Sequence, residues 1–235
     1  MLSNNWIAVL VTFIVAIAWL RLNNFAAQRG WISSQLSRKI IHMGTGLFFV
    51  LCWPLFSRSP SSPYIAALVP FGITIQFILV GTGFIKDEAA IESMSRTGDR
   101  REILRGPLYY GIVFVLLTVL YWYETPTGIV ALMLMSGGDG LADVLGRRFG
   151  KVGLPWNKGK TLIGSLGMFL GGWLFAAGVL AVYIYLGLFP QPWVNYLPGV
   201  TLIALAGTLV ESLPFQDVDN LTIPLAAVIL APLLF

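Results

Sequence analysis

Two aspartates lie four residues apart in the middle of a very apolar stretch. Asp139 and Asp143 occur in the segment SGGDGLAD at residues 136–143. Residues spaced i and i+4 share one face of a helix, where two carboxylates can share a divalent cation, most naturally Mg²⁺, or divide metal binding and proton acceptance between them. An ionised carboxylate at bilayer depth costs at least about 2.5 kcal/mol and is usually functional. The alternative is that the two aspartates have a purely structural role and form ion pairs with Arg147 or Lys160. The glycines around Asp139 predict a broken or tightly approached backbone.

A basic loop follows these acids and leads into the next apolar segment. Its cations are Arg147, Arg148, Lys151, Lys158 and Lys160. We expect Lys160 and Thr161 at a helix N-terminus, where free amides and the helix dipole favour phosphate. It is not a Walker loop, because Leu154 stands where G-x-x-x-x-G-K-T requires its first glycine. The loop either faces phosphate in another way or anchors the chain to inner-leaflet headgroups.

A second acidic group lies near the C-terminus. Glu211 ends one apolar segment, and Asp217, Asp219 and Asn220 precede the next. Acids and Asn at a helix start are common caps without any function. A nucleotide bound with magnesium, however, needs acids and bases close together. Both interpretations stay open for this group.

Arg38, Lys39 and His42 begin the second apolar segment. Arg38 and His42 share a helix face, so a guanidinium and an imidazole could bind one anion. Basic residues at a helix end also reach lipid headgroups by snorkelling, and His42, the only histidine, could simply hydrogen-bond inside a bundle. The mixed-charge stretch 86–105 predicts a short amphipathic surface helix.

The composition is that of a membrane protein. Hydrophobic residues make up 57% of the chain and charged residues 11%, with a mean hydropathy of +0.79, which excludes an ordinary soluble domain and a disordered chain. Because a span needs roughly 20 apolar residues, we predict an all-α polytopic membrane helical bundle of about seven or eight helices, forming one domain over residues 1–235. The predicted spans are Trp6 to Leu20, Ile40 to Phe56, Tyr64 to Ile85, Pro107 to Tyr123, Thr127 to Leu145, Leu162 to Leu188, Val194 to Leu213 and Leu221 to Phe235.

Charge asymmetry predicts the orientation. With the N-terminus outside, the inner loops and helix ends hold every Lys and Arg except Arg58, and every acid except Glu124. Positively charged loops resist translocation, so we expect the chemistry on the cytoplasmic side. The first span could be a secretory signal, but no positive charge precedes it, and we expect a retained helix. The lone Cys52 can form no disulfide within the chain.

Several of these motifs, in this order, resemble the CTP-dependent polyprenol kinases. They are Arg38-Lys39-x-x-His42, GDGLADVLGRRFG at 138–150, Lys160-Thr161-x-x-Gly164-Ser165, and Glu211 with DNLTIP at 219–224. That family includes dolichol, farnesol and phytol kinases, and the small size and the stretch REILRGPLYY at 101–110 are most similar to the phytol kinases. One departure is Ile163, where many relatives have Glu in K-T-x-E-G-S, so another acid must fill any role of that carboxylate.

The resemblance implies a reaction and a site. An isoprenoid alcohol, with phytol the first choice, would enter from the bilayer, and CTP with Mg²⁺ would come from the cytoplasm. The alternative acceptors are other lipid alcohols, namely farnesol, geranylgeraniol, dolichol and diacylglycerol. The implied catalytic residues are Asp139, Asp143 and His42, and the implied metal ligands are Asp139, Asp143, Glu211 and Asp219. The implied nucleotide and phosphate contacts are Arg38, Lys39, Arg147, Lys160, Thr161 and Asn220.

Two other functions fit the sequence less well. A phosphatidate cytidylyltransferase also uses CTP and paired acids, but the His-Gly-Gly and Asp-Arg-x-x-Asp patterns expected of it are absent. A proton-coupled transporter could use a relay of Asp139, Asp143, Glu211 and His42, yet the ionisable residues gather on one predicted side and no internal repeat is visible. The net charge of +4 fits the bias of cytoplasmic loops and does not indicate nucleic-acid binding.

Overall fold

The computed structural model describes residues 4–95, 97–214 and 218–235. Most of this part of the chain is helical, which confirms the predicted helical membrane protein. It forms two compact units, Met1–Val119 and Leu120–Phe235. The α-helices of the described residues are α1 (Asn5–Gln28), α2 (Ser34–Cys52), α3 (Ser62–Thr82), α4 (Glu88–Met94), α5 (Gly106–Leu120), α6 (Pro126–Met133), α7 (Asp139–Phe149), α8 (Leu162–Tyr185), α9 (Trp193–Ser212) and α10 (Asp219–Leu230).

Shorter elements join these helices. Single 3₁₀ turns cover Trp53–Leu55, Arg100–Leu104 and Ala231–Leu233, and a π-helical turn, Leu134–Gly138, connects α6 to α7 without a break. The mixed-charge stretch 86–105 forms α4 and the second 3₁₀ turn, so its prediction as a short surface helix is confirmed for α4. The Asp87 carboxylate caps α4 by accepting a hydrogen bond from the Ala90 amide at 2.9 Å.

In the first unit, α1 packs against α2 and α3. Asn4 and Ser33 begin α1 and α2 as N-caps, each accepting a backbone N–H through its side-chain oxygen. The indole of Trp19 on α1 lies over Gly44 on α2, where an added Cβ would meet it at 2.2 Å. Trp19 Nε1 also donates to the Ile40 carbonyl at 3.2 Å. A small residue at 44 therefore lets the two helices approach each other.

In the second unit, α6 and the π turn form the core. Every residue from 129 to 135 is fully buried, and α8 and α10 pack against this run. A helix that is apolar on all sides is typically surrounded by protein or lipid, and here its neighbours in the unit enclose it. The segment that carries Asp139 is therefore held rigidly by packing.

Helix α8 approaches α7 and the π turn through its glycines. A Cβ on Gly171 would lie 2.3 Å from the carbonyl oxygen of Gly137, and one on Gly167 would lie 2.8 Å from that of Leu141. Small residues at membrane helix interfaces allow such backbone contact. The glycine pattern around Asp139 predicted a broken or tightly approached backbone, and the structure has the close approach.

Replacing Gly171 by alanine should destabilise the second unit. The added methyl meets a backbone oxygen that cannot rotate away, so we expect a loss of about 1–3 kcal/mol, measured as a lower thermal unfolding temperature in detergent. Gly178 on the same helix is the matched control, because no atom lies within 4 Å of its added Cβ. Gly178→Ala should be neutral or stabilise the helix by roughly 0.5–1 kcal/mol, and equal losses for both variants would contradict the close-approach argument.

The loop before α8 forms a short antiparallel hairpin, which the all-α prediction missed. Strands β1 (Gly153–Leu154) and β2 (Asn157–Thr161) pair with Gly153 opposite Thr161 and Leu154 opposite Asn157. An isolated two-stranded hairpin is at best marginally stable in water. Hydrogen bonds from Trp156 and Asn157 to the end of α9 stabilise this hairpin. The bonded residues are too far apart in the sequence for a local pattern to reveal them.

All eight predicted spans correspond to helices, although only six helices within the described residues are long and apolar enough to cross a membrane. These are Asn5–Gln28, Ser62–Thr82, Arg100–Leu120, Pro126–Phe149, Leu162–Tyr185 and Trp193–Ser212. The other two predicted spans are α2, whose first half carries Arg38, Lys39 and His42, and the shorter helix Asp219–Leu233. The orientation with the N-terminus outside stays a prediction.

Candidate functional site

Asp139 directly follows the π turn and is the first residue of α7. Residues 134 to 138 are buried, and Asp139, half-buried, is the first residue of the following α-helix. A Cβ on Gly138 would lie 2.7 Å from the sulfur of Met168 and 3.0 Å from its carbonyl oxygen, so a larger residue would require Met168 or the backbone of α8 to shift. π turns inside helices frequently mark functional sites. The turn therefore places the Asp139 carboxylate at the point where the buried part of this helix ends.

Asp143 lies one helical turn after Asp139 and forms an ion pair. Its Oδ1 accepts a hydrogen bond from Arg147 Nε at 2.7 Å. The Arg147 side chain is about half exposed, at 49%, so this pair by itself adds little to stability. The main effect of the pair is to orient the Asp143 carboxylate.

Lys160 joins three separate elements. From β2, its ammonium donates to Glu211 Oε1 at the end of α9, at 2.5 Å, and to Asp219 Oδ2 at the start of α10, at 2.9 Å. Burial disfavours the charged form of Lys160, but the charges of Glu211 and Asp219 outweigh this and raise the pKa of its ammonium. Lys160 therefore stays charged at neutral pH.

Glu211 is the most deeply buried charged group here, with 3% of its side chain exposed. Its Oε1 binds Lys160, whereas its Oε2 is buried and accepts no hydrogen bond within the described residues. The carboxylate also interacts electrostatically with Asp219 and Asp139. We call Asp139, Lys160, Glu211 and Asp219 the Lys160 cluster. In it the Lys160 ammonium binds the carboxylates of Glu211 and Asp219, and Asp139 interacts with Glu211. These residues lie up to 80 positions apart in the sequence.

The Lys160 cluster would need further ligands to hold a hard divalent cation. Within residues 4–95, 97–214 and 218–235, no group of three or more acidic, His or Cys side chains converges closely enough to hold a metal by itself. Mg²⁺, however, is usually bound through one or two carboxylates together with substrate phosphates and water. The buried Oε2 of Glu211 is an oxygen donor of the kind Mg²⁺ prefers. Binding of Mg²⁺ at these residues stays a prediction.

Thr161 and Asn220 lie next to the members of this cluster in the sequence. Thr161 is the N-cap of α8, and its hydroxyl accepts the Gly164 amide at 3.1 Å. Asn220 is in the first turn of α10, directly after Asp219. Their predicted contacts with phosphate or nucleotide stay predictions. Asp217, named with them from the sequence, lies outside the described residues.

Arg38, Lys39 and His42 belong to the first unit, on α2. Arg38 donates to the backbone carbonyl of Ser95. The His42 ring lies 4.3 Å from the ring of Tyr110, whose hydroxyl donates to the His42 carbonyl at 2.8 Å. The predicted site residues thus fall in two groups, these three in the first unit and the others in the second.

Three further residues, on α8, on β2 and in the turn before β2, were given no role from the sequence. Trp156 and Asn157 bind the end of α9, and Ser165, one turn after Thr161 on α8, has a buried hydroxyl with no hydrogen bond in the described part of the chain. Ser165 stands in the quoted motif but was given no role. For Trp156 and Asn157 the sequence carries no local signal, because their partners lie about 55 residues away.

Comparison with known proteins finds close relatives over nearly the whole chain. It is 44% identical over 230 residues to "Probable phytol kinase, chloroplastic" of Triticum aestivum, covering 97% of this chain and 77% of the relative. It is 38% identical over 210 residues to "Phytol kinase 1, chloroplastic" of Arabidopsis thaliana, covering 88% and 69%. The chain belongs to the phytol kinase family. No family model and no solved structure matches it.

Membership of the phytol kinase family confirms the resemblance drawn from the motifs. A third relative, "Probable phytol kinase, chloroplastic" of Zea mays, is 40% identical over 236 residues, which cover all of this chain and 78% of the relative. Members of the phytol kinase family are phosphotransferases with an alcohol acceptor, so the chain is a kinase. Neither the cytidylyltransferase nor the transporter hypothesis finds support among these relatives.

Proposed function

We propose that this protein phosphorylates phytol, with CTP as the phosphoryl donor and Mg²⁺ as the assisting cation. The observation that carries the proposal is identity of 38–44% over most of the chain to relatives named phytol kinase. Six long apolar helices suit an acceptor that is dissolved in the membrane. Farnesol, geranylgeraniol, dolichol and diacylglycerol are the alternative acceptors, since each presents a hydroxyl on an apolar tail.

The Lys160 cluster is our candidate for the site of transfer. Phosphoryl transfer depends mainly on positioning and on neutralising charge at the phosphoryl oxygens. Lys160 would bind phosphate, and Asp139, Asp143, Glu211 and Asp219 are the candidate ligands of Mg²⁺. When bound, Mg²⁺ would draw negative charge from the transferred phosphoryl group. Thr161, Arg147 and Asn220 are the further candidate contacts of the nucleotide.

The alcohol must lose its proton during the transfer. The hydroxyl oxygen bonds to the γ-phosphorus as the bond to the β–γ bridging oxygen breaks and CDP leaves, and the proton passes to a carboxylate. Asp143 is our first candidate for this role, because it lies one helical turn after Asp139 and Arg147 Nε orients its carboxylate. Asp139 is the alternative acceptor. The guanidinium of Arg147 would contact phosphate through its remaining N–H groups.

Three residues of the first unit have candidate roles that rest on their sequence motif. We assign Arg38 and Lys39 to phosphate contacts, and His42 to orienting the alcohol or contacting phosphate, on the basis of the Arg38-Lys39-x-x-His42 motif. We place the reaction at the cytoplasmic surface, because the positive-inside rule puts the loops that carry these cations there.

The direct test is a labelling assay. Purified protein in detergent receives Mg²⁺, radiolabelled CTP or ATP, and in turn phytol, farnesol, geranylgeraniol, dolichol and diacylglycerol. We expect CTP-dependent labelling of phytol, which EDTA abolishes and added Mg²⁺ restores. Labelling of another alcohol would replace phytol as the assigned substrate. Labelling that persists in EDTA would show that the reaction does not require Mg²⁺. If folded protein labels no alcohol with either nucleotide, the proposed function is wrong.

A further inference from the structure

The side-chain amide of Asn157 connects the hairpin to the end of α9 through hydrogen bonds. Its Nδ2 donates to the carbonyl oxygens of Ser212 and Leu213, at 3.2 Å each, and its Oδ1 accepts the Gly159 amide at 3.1 Å. The last four carbonyl groups of a helix lack partners within the helix, so Asn157 satisfies groups that would otherwise need water. The indole of Trp156 adds a bond to Ser212 Oγ at 3.3 Å.

The hydrogen bonds of Asn157 lie beside the Glu211 carboxylate, which binds Lys160. Ser212 directly follows Glu211, and Asn157 and Lys160 are both on β2, three residues or about 10 Å apart along an extended strand. The strand and the end of α9 are thus joined twice, once through backbone carbonyls and once through the ion pair.

A lysine ion pair alone defines the position of its ammonium poorly. The side chain has a flexible four-carbon stem that carries about 2 kcal/mol of rotamer entropy, so several backbone positions could satisfy the same pair. The Asn157 bonds restrict the backbone that carries Lys160. Phosphoryl transfer is sensitive to such placement, since a misplacement of 1 Å can cost about a hundredfold in rate.

We propose that Asn157 is a positioning residue, which sets where Lys160 presents its ammonium by fixing β2 to the end of α9. The kinetic consequence rests on the proposed function, but the geometric consequence does not. Asn157 acts through Lys160, so its loss should have little effect once Lys160 is gone. A residue that merely stabilises the fold would add its full loss in either background.

The geometric test measures how fast each lysine is acylated. A protonated, ion-paired amine reacts slowly with an N-hydroxysuccinimide ester, so Lys160 should react slowly in the parent protein, whereas Lys86 and Lys151 are exposed and serve as internal references. In Asn157→Ala we expect acylation of Lys160, quantified by peptide mass spectrometry, to rise at least about fivefold against these references. Asn157→Leu, of similar volume but without hydrogen bonds, should behave alike if the alanine variant folds poorly.

Val152→Ala is the matched control in the same segment. The Val152 side chain is 65% exposed, and its carbonyl, which accepts the Leu162 amide at 3.1 Å, is unchanged by the substitution. Lys160 acylation should stay within about twofold of the parent. An unchanged Lys160 rate in the folded Asn157 variants, or an equal rise in Val152→Ala, would overturn the proposal.

The kinetic test is a double-mutant comparison with phytol and CTP. Asn157→Ala alone should lower kcat about ten- to hundredfold, while adding it to Lys160→Met should lower kcat by less than about twofold more. A full additional loss in the Lys160→Met background would show a purely structural role. If the parent phosphorylates no alcohol but Lys160 acylation still rises in Asn157→Ala, the proposed function fails and the positioning role stands.

Discussion

Replacing Lys160 by methionine is expected to lower kcat for phytol phosphorylation by about a hundred- to a thousandfold. The ammonium is the cation that the structure places between Glu211 and Asp219, and it is our candidate for stabilising charge on the transferred phosphoryl group. Removing one preorganised donor of this kind typically costs about 10²–10³ in kcat. Steady-state labelling of phytol with CTP measures the loss. Lys151→Met, which removes an exposed lysine of the neighbouring loop, should stay within about twofold.

The same substitution should also destabilise the fold, so activity and stability must be separated. Without Lys160, the buried Glu211 loses the cation that its Oε1 binds, and removing one partner of a buried pair costs about 3–5 kcal/mol. Adding Glu211→Gln neutralises the carboxylate and should recover much of the thermal stability in detergent. Activity should stay low in this double variant. Recovery of activity together with stability would mean that Lys160 has only a structural role.

Asp139→Asn should lower kcat by about a hundredfold or more and raise the Mg²⁺ concentration required for half-maximal rate. The substitution keeps the shape of the side chain but removes the charge that a metal ion would need. Neutralising Asp139 also relieves its repulsion with the carboxylate of Glu211, which works against any loss of thermal stability. Rate against Mg²⁺ concentration, with unfolding temperature, measures both effects.

Glu124→Gln is the control for Asp139→Asn. Glu124 is exposed and is the one acid that the orientation prediction places on the opposite side of the membrane. Its neutralisation should change neither kcat nor the Mg²⁺ requirement by more than about twofold. If Asp139→Asn turns over within a few-fold of the parent, Asp139 neither binds metal nor accepts the proton, and Asp143, Glu211 and Asp219 remain as candidates.

The helices of this protein follow closely from its sequence, because their signal is local. Each apolar run of sufficient length became a helix, and Asn4 and Ser33 cap two of them, as residues of these types commonly do. The uninterrupted helix from Pro126 to Phe149 contains a π turn that hydropathy does not reveal. The glycines before Asp139 indicated an unusual backbone there, but its form depends on packing against α8.

The hairpin shows where local pattern was insufficient. The segment 150–161 is rich in glycine and lysine and was predicted as a loop before a helix. Its strands persist because Trp156 and Asn157 bind the end of α9, about 55 residues away. Such partners become visible only once the chain is folded, which is why Asn157 was absent from the sequence-based site.

The sequence alone determined the class of protein and the identity of most candidate groups. Hydropathy and charge depend on composition and order, so they predicted a helical membrane protein, and the ordered motifs indicated the kinase family that the relatives confirm. Only the tertiary structure decided which groups meet. It paired Asp143 with Arg147, and joined Lys160 to Glu211 and Asp219. The physical reason is that an ion pair depends on the distance between atoms in space, which the separation along the chain does not specify.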